Sequence, residues 1–249
     1  EYLYFRTDHH WTQLGAYYAY TKFCEAKGWK AEPLSKFETG QVDGFVGSMY
    51  TFMSDYPQSQ ILKDNPDTLT YYLPIYETHA KYYADATLQN GVPISVVYTK
   101  LADETTNKYL CFIGGDTPVC VIESAAEGGV CMVLKESYGN AFVPFLTSHY
   151  SKIIVVDPRE FNRDGKPSLD LAAFAKAQGV EIAASTLCGG GAKSPLWRKI
   201  LANVLGIPLT LPQTEQGPGY GAAMLAAVAC GAYPSVQACA EALVRAKST

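Results

Sequence analysis

The chain has 249 residues, of which 48% are hydrophobic and 18% are charged, with a formal net charge of -4 at pH 7. This length and hydrophobic content suffice for one large or two small globular domains. Because the charges are interspersed and form no basic stripe, we expect a small-molecule or glycan substrate rather than nucleic acid or a membrane surface.

The seven cysteines are scattered without a CxxC pair, so neither a zinc ribbon nor a thioredoxin-type motif is predicted. Most lie in apolar runs such as GGVCMVL and AAVACGA, which favour buried free thiols over disulfides.

No run of eighteen apolar residues and no secretory signal pattern occurs, so we expect no membrane anchor in this chain. Because the chain begins directly before its main chemical motif, we expect an upstream portion that is absent from it.

Apolar spacing from Thr12 to Lys27 predicts a helix that ends before Gly28. Residues 29–107 are rich in Tyr, Thr, Ser, Asp and Pro. This composition predicts long loops, short strands and one helix at about 79–87, forming one wall of a cleft.

The middle of the chain predicts strands and helices in alternation. Three apolar segments are bounded by turn residues and indicate strands: Tyr109–Ile113, Val119–Ile122 and Val130–Leu134. The segment AFVPFLTSHY is helix-like, and Ile153–Val156 predicts a further buried strand. Ser168 is expected to cap a helix that Gly179 stops.

The C-terminal segment STLCGGGAKSPLW predicts a strand that leads into a helix. Ser194 is the expected N-cap, Pro195 the first helical residue and Gly206 the residue just past the end. Two further helices are predicted at about 219–230 and 235–246.

The stretch FRTDHHWT, at residues 5–12, contains two of the four histidines. Asp8 and His10 are two residues apart, so in extended backbone they share a side while His9 faces away. A carboxylate beside an imidazole is the arrangement of a general base and the group that orients it. The pair could also belong to a metal site or to a surface loop with no role. A metal site needs further ligands, and neither His79 nor His149 has ligand-like spacing.

The strand VCMVL followed by KESYGN and a helix has the pattern of a nucleophile elbow. In such a turn a serine hydroxyl projects above the sheet edge, and nearby backbone N–H groups can hold an oxyanion. Ser137 is the candidate nucleophile, and a plain turn or N-cap serine is the alternative. No GxSxG motif is present, although Gly139 would allow a close approach.

Four segments together resemble the bacterial DHHW protein family, relatives of the alginate O-acetyltransferase group with an SGNH-hydrolase-like domain. They are FRTDHHWT, FIGGD, LKESYGNAFVPFL and HYSKIIVVDPREF, and the resemblance covers roughly residues 1–180. It implies that Asp8 orients the base, His10 is the general base and Ser137 is the nucleophile. It also implies four substrate-contacting residues: Trp11, Tyr138, Asn140 and Arg159.

Three points stay open within this resemblance. Arg159 can equally be part of a structural ion pair. Glu136 stands where the family more often has Asp, and Asp116 stands where Asn is usual. An acidic group at position 116 would oppose an oxyanion if it lay close.

The segments CGGGAKSPLWRKILANVLGIPL and EQGPGYGAAMLAAVACGAY resemble the C-terminal end of FGGY-type sugar kinases, most like xylulokinase. Glycine-rich backbone before a helix can approach nucleotide phosphates closely. By this resemblance Gly189, Gly190, Gly191 and Lys193 match the nucleotide-binding segment. The sugar site, the catalytic aspartate and the first phosphate loop of the kinase have no counterpart, so we expect an incomplete, vestigial site.

The change in composition after about Glu181 predicts two domains, 1–182 and 183–249. The first is expected to be a three-layer α/β/α SGNH-like domain that is incomplete at its N-terminus, and the second a short α/β segment like part of a sugar kinase.

The predicted function is serine-dependent acetyl ester hydrolysis or O-acetyl transfer on a carbohydrate or cell-envelope glycan, with no cofactor and no metal. The alternatives are a nucleotide-binding kinase remnant, for which ATP and Mg would be the cofactors, and an inactive glycan-binding domain. The first domain implies an extracytoplasmic or envelope location, and the kinase-like part implies the cytoplasm.

Overall fold

The computed structural model describes residues 2–101, 105–187, 190–211, 223–224, 226–228 and 230–244. The chain divides into two compact units, Glu1–Asp170 and Leu171–Thr249. The sequence places its domain boundary twelve residues later, between 182 and 183. The position at which the resemblance to the DHHW family gives way to the resemblance to sugar kinases stays a prediction.

The first unit is a mixed α/β fold. Its helices are α1 (Gln13–Ala26), α2 (Ser48–Phe52), α3 (Ser59–Asp64) and α4 (Gly139–Leu146). Its strands are β1 (Thr39–Phe45), β2 (Asp67–Tyr72), β3 (Thr78–Tyr83), β4 (Val92–Ile94), β5 (Val119–Ser124), β6 (Val130–Leu134) and β7 (Lys152–Val156).

Five of these strands form one sheet in the order β4-β3-β5-β7-β6, and β1 pairs with β2 in a separate antiparallel sheet. Within the five-stranded sheet only β6 and β7 pair in parallel, and α4 is the crossover between them. Helix α1 packs against α4. The buried core includes Tyr20, Phe145, Ile122 and Ile153, each at most 2% exposed.

The second unit contains α5 (Leu171–Ala177), α6 (Pro195–Leu205) and α7 (Val236–Leu243), with β8 (Ser185–Thr186) and β9 (Leu209–Thr210) paired in parallel. The predicted caps of α6 are confirmed. The Ser194 side chain accepts the N–H of Trp197, Pro195 opens the helix, and Gly206 follows it in the left-handed conformation. The helix predicted at 219–230 lies partly outside the described residues, and its described residues 223–224 and 226–228 are helical.

Three predicted elements are wrong. Residues 79–87 do not form a helix, because Thr78–Tyr83 is strand β3, held by long-range pairing with β5. The segment at 109–113 is not a strand, because Lys108–Cys111 forms a 3-10 turn. The left-handed backbone of Ile113, with a φ of 48°, and of the two glycines after it also interrupts any extended conformation. Helix α5 begins at Leu171, so Ser168 is not its cap.

The prediction of free thiols is confirmed for the described cysteines, of which Cys24, Cys111, Cys120 and Cys239 are buried. Cys131 is partly buried, Cys230 is exposed against expectation, and Cys188 lies outside the described residues. Within the part of the chain that the structure describes, no helix is both long and apolar enough to cross a membrane.

Candidate active site

The turn after β6 places Ser137 at the edge of the sheet. Strand β6 ends at Leu134, and α4 begins two residues after Ser137. A Cβ on Gly139 would lie 2.5 Å from the Cβ of Lys135, which is closer than carbon atoms can approach. The chain can turn tightly here because Gly139 has no side chain. This tight turn agrees with the predicted nucleophile elbow.

His10 connects Asp8 with Ser137, although Ser137 lies 127 positions further along the chain. His10 Nδ1 lies 2.5 Å from Asp8 Oδ1, and His10 Nε2 lies 2.7 Å from Ser137 Oγ. A carboxylate can only accept, so Nδ1 carries the hydrogen, and Nε2 of the neutral imidazole is free to accept. The predicted convergence of these three side chains is confirmed.

Asp8 is 6% exposed and is held by three donors. Besides the imidazole, the backbone N–H groups of His10 and Ser48 donate to its two oxygens at 2.9 and 2.8 Å. Burial alone would raise the pKa of Asp8, but these hydrogen bonds outweigh it and lower the pKa well below its usual value. The carboxylate is therefore charged and fixed in orientation.

Gly47 allows this arrangement, since a Cβ there would lie 2.3 Å from the Cβ of Asp8. Sequence reasoning missed both Gly47 and Ser48. The only local signal is a pair of small residues at the start of a short helix, and nothing in it points to Asp8.

His9 does not face away from His10 as predicted. The two ring centroids are 3.8 Å apart, with 36° between the planes. The prediction assumed extended backbone, whereas residues 6–10 form a series of bends. The ring of Tyr109 covers the other face of His10 at 4.0 Å and 10°, so the catalytic candidate is enclosed between two rings.

Ligand atoms of Asp8, His9 and His10 lie within 4.8 Å of one another, close enough for a metal ion. However, both nitrogens of His10 already face partners. This geometry suits a hydrogen-bonded base better than a metal centre.

Trp11 and Tyr138 join the histidine segment to the elbow. Trp11 Nε1 donates to the carbonyl oxygen of Tyr138 at 2.9 Å, and the Tyr138 hydroxyl donates to the carbonyl oxygen of His9. The two rings also contact each other edge to face at 5.6 Å. These bonds fix Ser137 relative to His10, and a role for either ring in substrate contact stays a prediction.

Arg159 takes part in an ion-pair cluster at the end of β7. Its Nη2 lies 2.7 Å from Asp116 and 2.6 Å from Asp157, while Lys135 Nζ lies 2.7 Å from Asp116 and 3.5 Å from Asp157. Burial would raise the pKa of both carboxyl groups, yet the hydrogen bonds and cations lower it. The structural ion pair is therefore present, and substrate contact by Arg159 stays a prediction.

Asp116 does not carry an unpaired negative charge, because Lys135 and Arg159 both form ion pairs with it. It also accepts a hydrogen bond from Asn140 Nδ2 at 3.0 Å. Asn140 is 1% exposed, and its Oδ1 is buried without a partner among the described residues. The amide belongs to the first turn of α4, and its contact with substrate stays a prediction.

A cavity of about 210 Å³ opens beside the histidines and is lined by, among others, Asp8, His9, His10, Ser48 and Phe52. A neighbouring cavity of about 480 Å³ shares Val46, Thr51 and Thr106 with it. Phe52 is 71% exposed, and its ring lies 6.1 Å from that of His9. The site thus continues into a groove with hydroxyl groups and an exposed aromatic ring.

The kinase-like segment lies partly within the described residues. Gly189 lies outside the described residues, Gly190–Lys193 forms a 3-10 turn, and Lys193 is exposed. Helix α6 exposes the apolar side chains of Leu196, at 69%, and Trp197, at 49%. The described residues therefore supply a glycine turn and a capped helix.

The model of the DHHW protein family matches residues 1–156, which is more than half of the chain. The chain belongs to the DHHW family. The C-terminal domain of the FGGY family of carbohydrate kinases matches residues 169–230, so this DHHW chain also carries a kinase-like segment, as the sequence predicts.

Solved structures agree with the fold of this DHHW protein. A crystal structure of a DHHW family protein from Eubacterium siraeum is 37% identical, with a TM-score of 0.59, and the match covers 72% of this chain and 57% of that one. Bacillus cereus PatB1 is 21% identical, with a TM-score of 0.51, over 72% of this chain and 60% of that one. At that identity PatB1 supports the fold alone.

The curated relatives match the other end of the chain. Autoinducer-2 kinase of Yersinia enterocolitica is 40% identical over 76 residues, and that of Yersinia pestis is 38% identical over the same length. The match covers 30% of this chain but only 14% of either kinase. The finer likeness to xylulokinase stays a prediction.

Proposed function

We propose that the DHHW domain is a serine-dependent acyltransferase or esterase that acts on acetyl esters of a carbohydrate or cell-envelope glycan. The observation that carries the proposal is the continuous contact from Asp8 through His10 to Ser137. A serine hydroxyl is a weak nucleophile without a base, and an imidazole works as that base only in the correct tautomer. The three side chains meet both requirements.

In the first half-reaction, Ser137 Oγ attacks the acyl carbon while His10 Nε2 takes the hydroxyl proton. The imidazolium is stabilised by the buried carboxylate of Asp8. His10 then gives the proton to the leaving alcohol oxygen, and the acyl group stays on Ser137.

The negative oxygen of the tetrahedral intermediate needs donors that are already in place. Among the described residues, nothing accepts a hydrogen bond from the backbone N–H of Ser137, so this group is available to the oxyanion. It lies two residues before α4, whose N-terminal end favours negative charge.

Hydrolysis and transfer share this first step, and they differ in whether water or a sugar hydroxyl removes the acyl group. The groove beside His9 supports a substrate larger than a simple ester, because its hydroxyl-bearing walls and the exposed ring of Phe52 suit a sugar. An extracytoplasmic or envelope location belongs to the same proposal.

The kinase-like segment favours a second candidate, a nucleotide-binding remnant. The FGGY match and the glycine turn support it. Gly190, Gly191 and Lys193 would contact the phosphates of ATP, and magnesium would accompany the nucleotide. We propose that this segment does not transfer phosphate, since the match spans only 14% of the kinases.

Three measurements separate these functions. Hydrolysis of a chromogenic acetyl ester is expected to be lost in Ser137→Ala and retained in Ser54→Ala, which replaces an exposed serine. A sulfonyl adduct is present in one structure of PatB1, so labelling of Ser137 by a sulfonyl fluoride, located by peptide mass spectrometry, is a direct probe. Calorimetric binding of ATP without ester hydrolysis would instead support the remnant.

A further inference from the structure

Ser137 Oγ has a second neighbour besides His10. Glu136 Oε2 lies 3.3 Å from Ser137 Oγ, and Glu136 Oε1 accepts the backbone N–H of Tyr138 at 3.2 Å. The bond to Tyr138 anchors the carboxylate, so its other oxygen is held beside the nucleophile. No step of the mechanism above uses this group.

We propose that Glu136 is a catalytic residue that directs the acyl-enzyme towards water and away from sugar hydroxyls. The inference rests on the proposed acyl-enzyme and concerns what happens after it forms. Ser137 has one hydroxyl hydrogen, which goes to His10 Nε2, so Glu136 Oε2 receives no hydrogen from Ser137 before or after acylation. The carboxylate therefore has a free acceptor site close to the ester.

Two acceptors therefore face the position from which the second nucleophile attacks, His10 Nε2 and Glu136 Oε2. Water has two hydrogens and can donate to both acceptors at once, whereas a sugar hydroxyl has one hydrogen and can donate to only one. That single hydrogen must go to His10, because the base has to remove it. Glu136 consequently orients water and offers nothing to an alcohol.

The step balances as an ordinary ester hydrolysis. The water oxygen forms a bond to the acyl carbon, and one of its protons passes to His10 Nε2. The intermediate collapses by breaking the bond between the acyl carbon and Ser137 Oγ, and His10 returns the proton to that oxygen. Glu136 keeps its charge throughout and accepts a hydrogen bond from the second hydrogen of water.

The test is the partition of the acyl group in Glu136→Gln. The amide oxygen can still accept the Tyr138 N–H, which leaves the NH₂ group facing the ester as a donor. The full chain is acetylated from a chromogenic ester in the presence of methyl glucoside, and released acetate and acetylated sugar are both quantified. Glu127→Gln, on an exposed residue after β5, is the matched control.

We expect the ratio of transfer to hydrolysis to rise about tenfold in Glu136→Gln, as for loss of one hydrogen bond to a charged group. The acetylation burst should remain, and the Glu127→Gln ratio should equal that of the wild type. An unchanged ratio with a normal burst, or a shift towards hydrolysis, would overturn the role of Glu136 and leave the acyl-enzyme intact. Absence of any burst in the wild type would overturn the proposed function and this role together.

Discussion

The ring of Tyr109 lies almost parallel to the imidazole of His10, with centroids 4.0 Å apart and 10° between the planes. Tyr109 is 3% exposed, and its hydroxyl is buried without a partner among the described residues. The side chain thus acts on His10 through its flat ring and not through its hydroxyl group. It limits the rotation of an imidazole that must face Asp8 and Ser137 together.

Phe and Leu variants of Tyr109 distinguish the contribution of the aromatic ring from that of the hydroxyl group. Tyr109→Phe keeps the stacking and removes a buried unpaired hydroxyl, so we expect wild-type stability or slightly more, with turnover within about twofold. Tyr109→Leu removes the flat surface and leaves a gap. It should cost about 1–3 kcal/mol of unfolding free energy and lower turnover more than Phe does. Urea denaturation measures the unfolding free energy, and ester hydrolysis measures turnover. Equal turnover in the two variants would argue against the stacking role.

Gly47→Ala tests the packing behind Asp8. The added Cβ would lie 2.3 Å from the Cβ of Asp8, so the aspartate or the backbone at Ser48 must move. We expect a loss of about 1–3 kcal/mol in unfolding free energy, as for overpacking elsewhere, together with lower turnover. Gly129→Ala is the matched control, because a Cβ there meets nothing within 4 Å. Equal effects of the two substitutions would contradict the close packing.

Asp8 should also contribute to the pH dependence of stability. The pKa of Asp8 is lower in the folded protein than the value of about 3.9 expected for an unfolded chain. Its stabilising contribution is therefore nearly complete above about pH 5, decreases around pH 4 and is lost as the pH falls through the folded-state pKa. The difference in unfolding free energy between wild type and Asp8→Asn, measured with urea from pH 7 to pH 2, should shrink below about pH 4. A difference that grows in acid would show that the carboxylate is not stabilised by its partners.

The elbow and the histidine motif were predictable because their signals are local. The strand VCMVL, the turn and the following helix occupy consecutive residues, and Val130–Leu134 has the predicted bounds. Likewise, Ser194, Pro195 and Gly206 each mark an end of α6 by well-known capping preferences. Contact between residues 10 and 137 could be inferred from the chemistry of the side chains and from the family resemblance.

The errors arise where distant residues decide the local structure. Thr78–Tyr83 is a strand because β5 is available to pair with it, and β5 lies about forty residues later. The orientation of His9 depends on Ser48, whose hydroxyl contacts His9 Nδ1. Similarly, no local pattern places Tyr109 on His10 or the small residue Gly47 behind Asp8.

The central claim is that His10 is the base for Ser137, and the activity of single histidine variants tests it most directly. The turnover of a chromogenic acetyl ester should fall about 10³-fold in His10→Ala, because a general base and its nucleophile work as a unit. His9→Ala removes the ring beside His10 together with its contact to Ser48, but it leaves the base in place, so its loss should be about tenfold, with KM affected as well as turnover. Near-normal turnover in His10→Ala, with His9→Ala inactive, would contradict the account and assign the base to the other histidine.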